Sequence, residues 1–277
     1  MAWLEGFRDQ VIVVTGASSG IGRATAEAFA ATGARVGLVA RRRDLLEEVA
    51  AACRARGGDA LAAPADVTDR DQVRAAFATI DDRFGCPDVV VNNAGLLIPA
   101  PVQEIDPADL DRMMRVNVFG AVFVMQEALR RMRTRGAGSL VNMASLAGRR
   151  GAAQLGGYSA TKFALVGLTE ALRSELEGDP VHVALVLPGV VDTPMVGAFD
   201  QEFLEFWPSA MGMPSSWVVW AVFAAVRFRL REISVPPGAA TFEKLASLAP
   251  GVADGIVSWA RSASRWLAGA IPAKPGG

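Results

Sequence analysis

VIVVTGASSGIGRA, residues 11–24, decides the fold. An apolar, mostly β-branched run enters a Gly/Ser-rich stretch, and a helical pattern starts at once. Gly16, Gly20 and Gly22 are spaced G-x3-G-x-G, not the G-x-G-x-x-G of the usual dinucleotide fingerprint. The physics is shared. Glycines let a backbone turn tightly and approach a pyrophosphate, which sits on free amides at the positive end of a helix. Ser18 and Ser19 add hydroxyl donors, and Ile21 lies between the last two glycines. A ligand-free turn could have this composition. Its position between a first strand and a first helix favours a phosphate cradle.

Outward from this stretch, two periods alternate. RVGLVA (35–40), VVVN (89–92), SLVNM (139–143) and VHVALVL (181–187) read as strands, with ALAAPADV (60–67) a weaker one and EISV (232–235) the last. They are apolar at consecutive positions, which suits parallel strands covered on both faces. Helical stretches lie between them at 21–32, 44–56, 69–84, 107–134 and 157–177, with Gly33 and Gly57 as helix stops. Repeated βαβ units predict an α/β fold: one Rossmann-type doubly wound parallel sheet of about seven strands, helices on both faces. Residues 1–237 form the expected nucleotide-binding catalytic domain, with a substrate loop at about 190–215. A Ser-started helix follows at 215–231. Residues 238–277 form an Ala/Trp-rich extension, expected to be helical.

Cofactor choice is read about 20 residues past the glycines, where an acid marks an unphosphorylated ribose. Here stands ARRR, Ala40 to Arg43. Arg41 and Arg42 suit a 2′-phosphate through charge-assisted hydrogen bonds, so NADP(H) is preferred over NAD(H). A solvated basic loop is the plainer reading, but positive charge at the start of a helix opposes the helix dipole, and a bound phosphate removes that conflict. Asp66 and Val67, ending the third strand, are placed to meet the adenine. Asp66 equally suits a helix N-cap.

YSATK (158–162) holds the only tyrosine of the chain and one of its three lysines. Tyr158 and Lys162 are four apart on a predicted helix and share a face. A phenol has a reference pKa of about 10. Two unit charges 4 Å apart interact by about 4 kcal/mol at an effective dielectric of 20. A nearby ammonium is therefore expected to lower that pKa, by up to roughly 3 units.

TGASSGIG (15–22), NNAG (92–95), Asn117, Ser145, YSATK and Pro188-Gly189 occur in order, and the chain resembles a classical short-chain dehydrogenase/reductase over about residues 7–235. The resemblance implies Tyr158 as general acid/base, Ser145 on the substrate oxygen, Lys162 also on the nicotinamide ribose, and Asn117 holding a water that relays protons to Lys162. It places Asn93, Ala94 and Gly95 on the adenine-ribose side, and Pro188, Gly189, Val191 and Thr193 near the nicotinamide. Each residue has a plainer reading. Asn117 could kink its helix, Ser145 could turn the chain, Tyr158 could be a core aromatic and Lys162 a solvated surface charge.

Composition bounds the rest. The chain has 277 residues, 51% apolar, with Lys+Arg 28 against Asp+Glu 29. No basic excess marks a nucleic-acid partner. One histidine, His182, excludes His-rich metal sites and argues against a Ser-His-acid triad. Cys53 and Cys86 form no CxxC. No secretory leader is expected, and the location expected is cytoplasmic.

Phe199, Phe203, Phe206, Trp207, Met211 and Met213 suit either an apolar lid over a small apolar carbonyl or alcohol substrate (lipid-like, steroid-like or aromatic), or a small helix packing its face. Trp217–Val226 is apolar all round and predicts burial, against another subunit of a homodimer or homotetramer. Ile256, Trp259, Ala260, Ala263, Trp266 and Leu267, with Arg261 and Arg265 between, form a mildly basic stripe. It suits intramolecular packing or, secondarily, weak membrane-surface contact. Rival readings are a non-catalytic NADP(H)-binding regulator, an epimerase or dehydratase using the same Tyr-Lys pair, and a membrane-surface interaction protein.

Overall fold

The computed structural model describes residues 6–195 and 212–246, together with residues 248 and 251. Seven strands form one parallel sheet in the order β3-β2-β1-β4-β5-β6-β7. They are β1 (Val11–Thr15), β2 (Arg35–Val39), β3 (Asp59–Ala62), β4 (Val89–Asn92), β5 (Gly138–Met143), β6 (Val181–Pro188) and β7 (Glu232–Val235). The helices are α1 (Gly20–Ala30), α2 (Arg43–Ala55), α3 (Arg70–Phe84), α4 (Pro107–Met114), α5 (Ala121–Arg135), α6 (Gly156–Glu175), α7 (Ser215–Arg227) and α8 (Ala239–Ala246).

The unbroken apolar strands have a direct cause. Ile12 and Val14 enter one core, while Val11 and Val13 enter the other. On β6, Ala184 and Val186 face the first core, and Val183, Leu185 and Leu187 the second. Alternate side chains point to opposite faces, and helices cover both faces, so most positions are apolar. The first core is closed by α1, α2 and α7. There Phe29 stacks on Phe223 at 4.2 Å between ring centroids, and Phe7 sits edge-on to both. The second is closed by α3, α5 and α6.

Local signals set the element ends. Asp69 caps α3, accepting from the Asp71 and Gln72 amides. Asp106 caps α4, with Pro107 at its first position. Gly33 and Gly57, the expected helix stops, have φ of 83° and 98°.

Two expectations need correction. The stretch 107–134 is not one α-helix, because a π-helical turn, Arg115–Gly120, separates α4 from α5. Asp66 and Val67 do not end β3, which stops at Ala62. Within the chain α7 buries Val218, Val222 and Phe223 and leaves Trp217 51% and Trp220 49% exposed, on the side where another subunit is expected to pack. A helix on the face of a sheet presents only one side to it, whatever its composition.

The aromatics Phe199, Phe203, Phe206 and Trp207, with Met211, lie outside the described residues. So do the stripe from Ile256 to Leu267 and most of the extension after residue 246. Among the described residues no helix is long and apolar enough to cross a membrane. No group of three or more His, Cys, Asp or Glu among them could hold a metal ion.

Candidate active site

β2 and β4 flank β1, so the chain crosses over between the two halves of the sheet at β1 and β4. Connections leave in opposite directions there, and a crevice opens at the carboxyl ends of the strands. A cleft of about 440 Å³ occupies that position. Thr15, ending β1, locks its floor. Its Oγ1 accepts from the Asn93 and Ala94 amides at 2.9 and 3.0 Å, and Asn93 Nδ2 donates to the Thr15 carbonyl at 2.9 Å.

The glycines are required by close approach. A Cβ on Gly16 would stand 2.9 Å from the Ala94 Cα, and one on Gly22 would be 2.7 Å from Asn93 Nδ2 and closer still to the Gly16 carbonyl. Ser19 caps α1 without a side-chain hydrogen bond to its amides, and the first turn carries no acid. Those amides and the bare glycine backbone form a cradle fitted to an anion. Arg42 reaches over it, donating to Ser18 Oγ at 3.0 Å and Ser19 Oγ at 3.4 Å. The residues present therefore fit a dinucleotide.

Gly16, Ser18, Ser19, Gly20, Ile21, Arg41, Arg42, Asp66, Val67, Asn93, Ala94, Gly95 and Thr193 all line the cleft. Gly22 lies beneath it, against Gly16. Asp66 is not a helix cap: its Oδ1 accepts from the Thr68 amide and hydroxyl at 2.9 and 2.8 Å, which leaves capping to Asp69. Gly189 donates its amide to the Val235 carbonyl, which joins the ends of β6 and β7. Val191 bridges to Met213, so the two described edges of the 190–215 loop meet. Thr193 packs over Gly20.

Ser145, Tyr158, Lys162 and Asn117 converge beside this cleft. Ser145 follows β5. Its Oγ donates to the Pro188 carbonyl at 3.2 Å, accepts from the Ala147 amide at 3.1 Å, and stands near enough to the Tyr158 phenol to lower its pKa. Lys162 is one turn beyond Tyr158 on α6. Its Nζ donates to the Met143 carbonyl at 2.9 Å and lies 5.6 Å from the Tyr158 ring centre. A Cβ on Gly95 would be 3.7 Å from that Nζ, so the ammonium stands at the cleft wall.

Asn117 sits in the π-turn. Its Oδ1 accepts from Leu96 N at 2.7 Å, and its Nδ2 donates to the Leu96 carbonyl at 2.8 Å and to Thr161 Oγ1 at 2.9 Å. It ties the exit of β4 to α6, and both of its N–H groups are used by protein partners.

The expected lowering of the phenol pKa is not what the structure shows. Burial pushes Tyr158 up to about 12, against a smaller lowering by Ser145. Burial also pushes the Lys162 ammonium down, to about 8. Desolvation disfavours both charged forms, and the ammonium's hydrogen bond goes to the Met143 carbonyl. At neutral pH Tyr158 holds its proton.

Sequence reasoning missed Thr15, Thr161, Arg112 and Arg115. The first two serve through hydrogen bonds to Asn93 and Asn117, which no spacing rule announces. Arg112 and Arg115 line the cleft. Their three-residue spacing just before Asn117 was the available signal.

A parallel-sheet nucleotide-cofactor scaffold carrying a Ser-Tyr-Lys group is thus defined by fold and site together. The family model for short chain dehydrogenase matches residues 10–203, and the chain belongs to that oxidoreductase family. It is 41% identical over 196 residues to a sorbitol dehydrogenase of Cereibacter sphaeroides, covering 70% of this chain and 75% of that one. It is 39% identical over 201 residues to a cis-4-hydroxycyclohexanecarboxylate dehydrogenase of Sinomonas cyclohexanicum, covering 72% and 80%. A short chain dehydrogenase/reductase from Burkholderia phymatum, solved in complex with NAD, superposes with a TM-score of 0.82 at 26% identity, over 89% of this chain and 95% of that one.

Proposed function

We propose that this chain transfers a hydride between NADP(H) and a carbonyl or secondary alcohol of an apolar substrate. The approach of Ser145 to the Tyr158 phenol, with Lys162 one turn on, carries the reading. When bound, the dinucleotide would supply the two-electron chemistry. The cradle at Gly16, Ser18, Ser19 and Gly20 would hold its diphosphate. Pro188, Gly189, Val191 and Thr193 would border the nicotinamide, and Lys162 would reach its ribose.

The chain's own residues then do three things. Ser145 Oγ and the Tyr158 hydroxyl orient the substrate oxygen and stabilise charge that develops on it. Tyr158, protonated at neutral pH, delivers its proton to that oxygen in reduction; in oxidation it first gives up its own proton and then takes the one from the alcohol hydroxyl. Lys162 offers positive charge near the phenol only while it keeps its own proton. Asn117 fixes the wall on which Lys162 lies.

Arg41 and Arg42 support NADP(H), because no carboxylate stands at the exit of β2 to meet a ribose 2′-hydroxyl. The Burkholderia structure holds NAD. The dehydrogenases named above act on a polyol and an alicyclic alcohol, and this supports a small hydroxyl or carbonyl substrate. The assembly proposed is a homo-oligomer. The test is NADPH consumption by the full chain over a panel of apolar ketones. NADPH binding without consumption across the panel would leave a binding regulator instead.

A further inference from the structure

The cleft carries a second pair of arginines. Arg41 and Arg42 leave the end of β2, on one side of β1. Arg112 and Arg115 come after β4, on the other side, where α4 packs on α6. Among the described residues that line the cleft, Asp66 is the only carboxylate. Arg112 and Arg115 are three positions apart, so two cations share one helical face. Each is held by a carboxylate of its own helix: Asp109 on Arg112 at 2.9 Å, and Asp111 on Arg115 at 2.6 Å. The arginine side chains are 64% and 63% exposed. Exposed pairs of this kind hold their partners weakly, so the guanidinium groups can turn to a ligand. Beside them Val67 and Val116 line the same stretch. An apolar wall with planar cations at its rim suits a purine, because guanidinium planes stack on aromatic faces.

We propose that Arg112 and Arg115 form an affinity wall for the adenosine-phosphate half of the cofactor, packing over the purine and attracting its phosphates without reading the ribose 2′ position. This rests on the nucleotide-cofactor reading. The two arginine pairs then divide the work: Arg41 and Arg42 discriminate, whereas Arg112 and Arg115 bind both dinucleotides alike.

The test is calorimetric titration of the full chain with NADP+, NAD+ and 5′-AMP at two salt concentrations. Arg112→Ala with Arg115→Ala should raise all three dissociation constants by roughly threefold to tenfold, with the NADP+ to NAD+ ratio unchanged and the salt dependence reduced. Asp109→Asn with Asp111→Asn frees the arginines and should tighten all three. Both arginines are exposed, so the unfolding midpoint of the alanine variant should stay at the wild-type value. Wild-type affinity in that variant would overturn the inference. So would a changed NADP+ to NAD+ ratio, which would make these residues discriminators. A wild-type chain that binds none of the three ligands would defeat the cofactor reading beneath it, a separate failure.

Discussion

Lys162 Nζ donates to the Met143 carbonyl and lies 5.6 Å from the Tyr158 ring centre, while the Tyr158 phenol is influenced by Ser145. Phenol and ammonium therefore share a buried wall without touching through their polar ends. That separation sets the expected chemistry: a neutral acid beside a cation that loses its charge near pH 8.

Tyr158→Phe removes the proton donor and keeps the ring. Turnover should fall by about 10²- to 10⁴-fold, the usual span for a positioned acid or base. NADPH affinity should change little, since the ring still fills its site. Rate assays and cofactor titration on one preparation check both halves, and undiminished turnover would defeat the assignment.

The Lys162 pKa, pushed down to about 8 by burial, has two consequences with definite sign. In the reductive direction, kcat/KM should decline as pH rises through about 8, because the charge near the phenol is lost. Stability should move the other way. Between about 8 and the unfolded lysine value of about 10.4, the unfolded chain binds more protons, so unfolding free energy rises with pH through this group. Tyr158, raised to about 12, opposes that gain above about pH 10. A pH series of rates and unfolding midpoints separates the two, and Lys162→Met should flatten the lysine contribution to both.

Arg41→Ala with Arg42→Ala removes the cations proposed for the 2′-phosphate. The KM for NADPH should rise by roughly 10- to 100-fold, the value of one or two charged hydrogen bonds. The KM for NADH should rise far less. Equal effects on the two cofactors would remove the NADP(H) preference.

Gly22→Ala tests the cradle. Its new methyl would meet Gly16 and Asn93, groups held by backbone and by the Thr15 hydrogen bonds. Overpacking of this kind costs about 1–3 kcal/mol. A lowered unfolding midpoint and weaker dinucleotide binding should appear together in denaturation and titration.

Glu232, starting β7, receives Arg149 at 2.6 Å and Lys244 at 2.9 Å, which joins the loop after Ser145 to α8. Burial alone would push its carboxyl up. The Lys244 hydrogen bond and the Arg149 and Lys244 charges outweigh burial and hold it below the usual range. Its stabilisation is present above the unfolded value of about 4.3 and is lost as pH falls through the lower folded value. Glu232→Gln should therefore be less stable than wild type at neutral pH, and the difference should shrink in acid. Urea unfolding at pH 7 and below pH 4 measures it.

Much of this was legible beforehand, for identifiable reasons. Consecutive apolar residues at 11–14 and 183–187 signal strands covered on both faces, because a period-2 element with two buried sides leaves few polar positions. The strand–glycine–helix order at 11–24 announces a cradle, because only glycine permits that approach of Gly22 to Gly16. The i, i+4 spacing of Tyr158 and Lys162 placed them on one helix face. What that face meets was not written in the spacing. Neither was the π-turn around Asn117, whose carboxamide is held by Leu96 and Thr161 from elsewhere in the chain.

Local periodicity and glycine's missing Cβ were enough to read the sheet, the succession of its elements and the glycine cradle at its switch point. Only the tertiary structure decided the protonation of Tyr158 and Lys162, the burial of one side of α7 and the arrival of Arg112 and Arg115 at the cleft. Those properties depend on desolvation and on neighbours brought in from distant segments, and these are set by packing rather than by the residue itself.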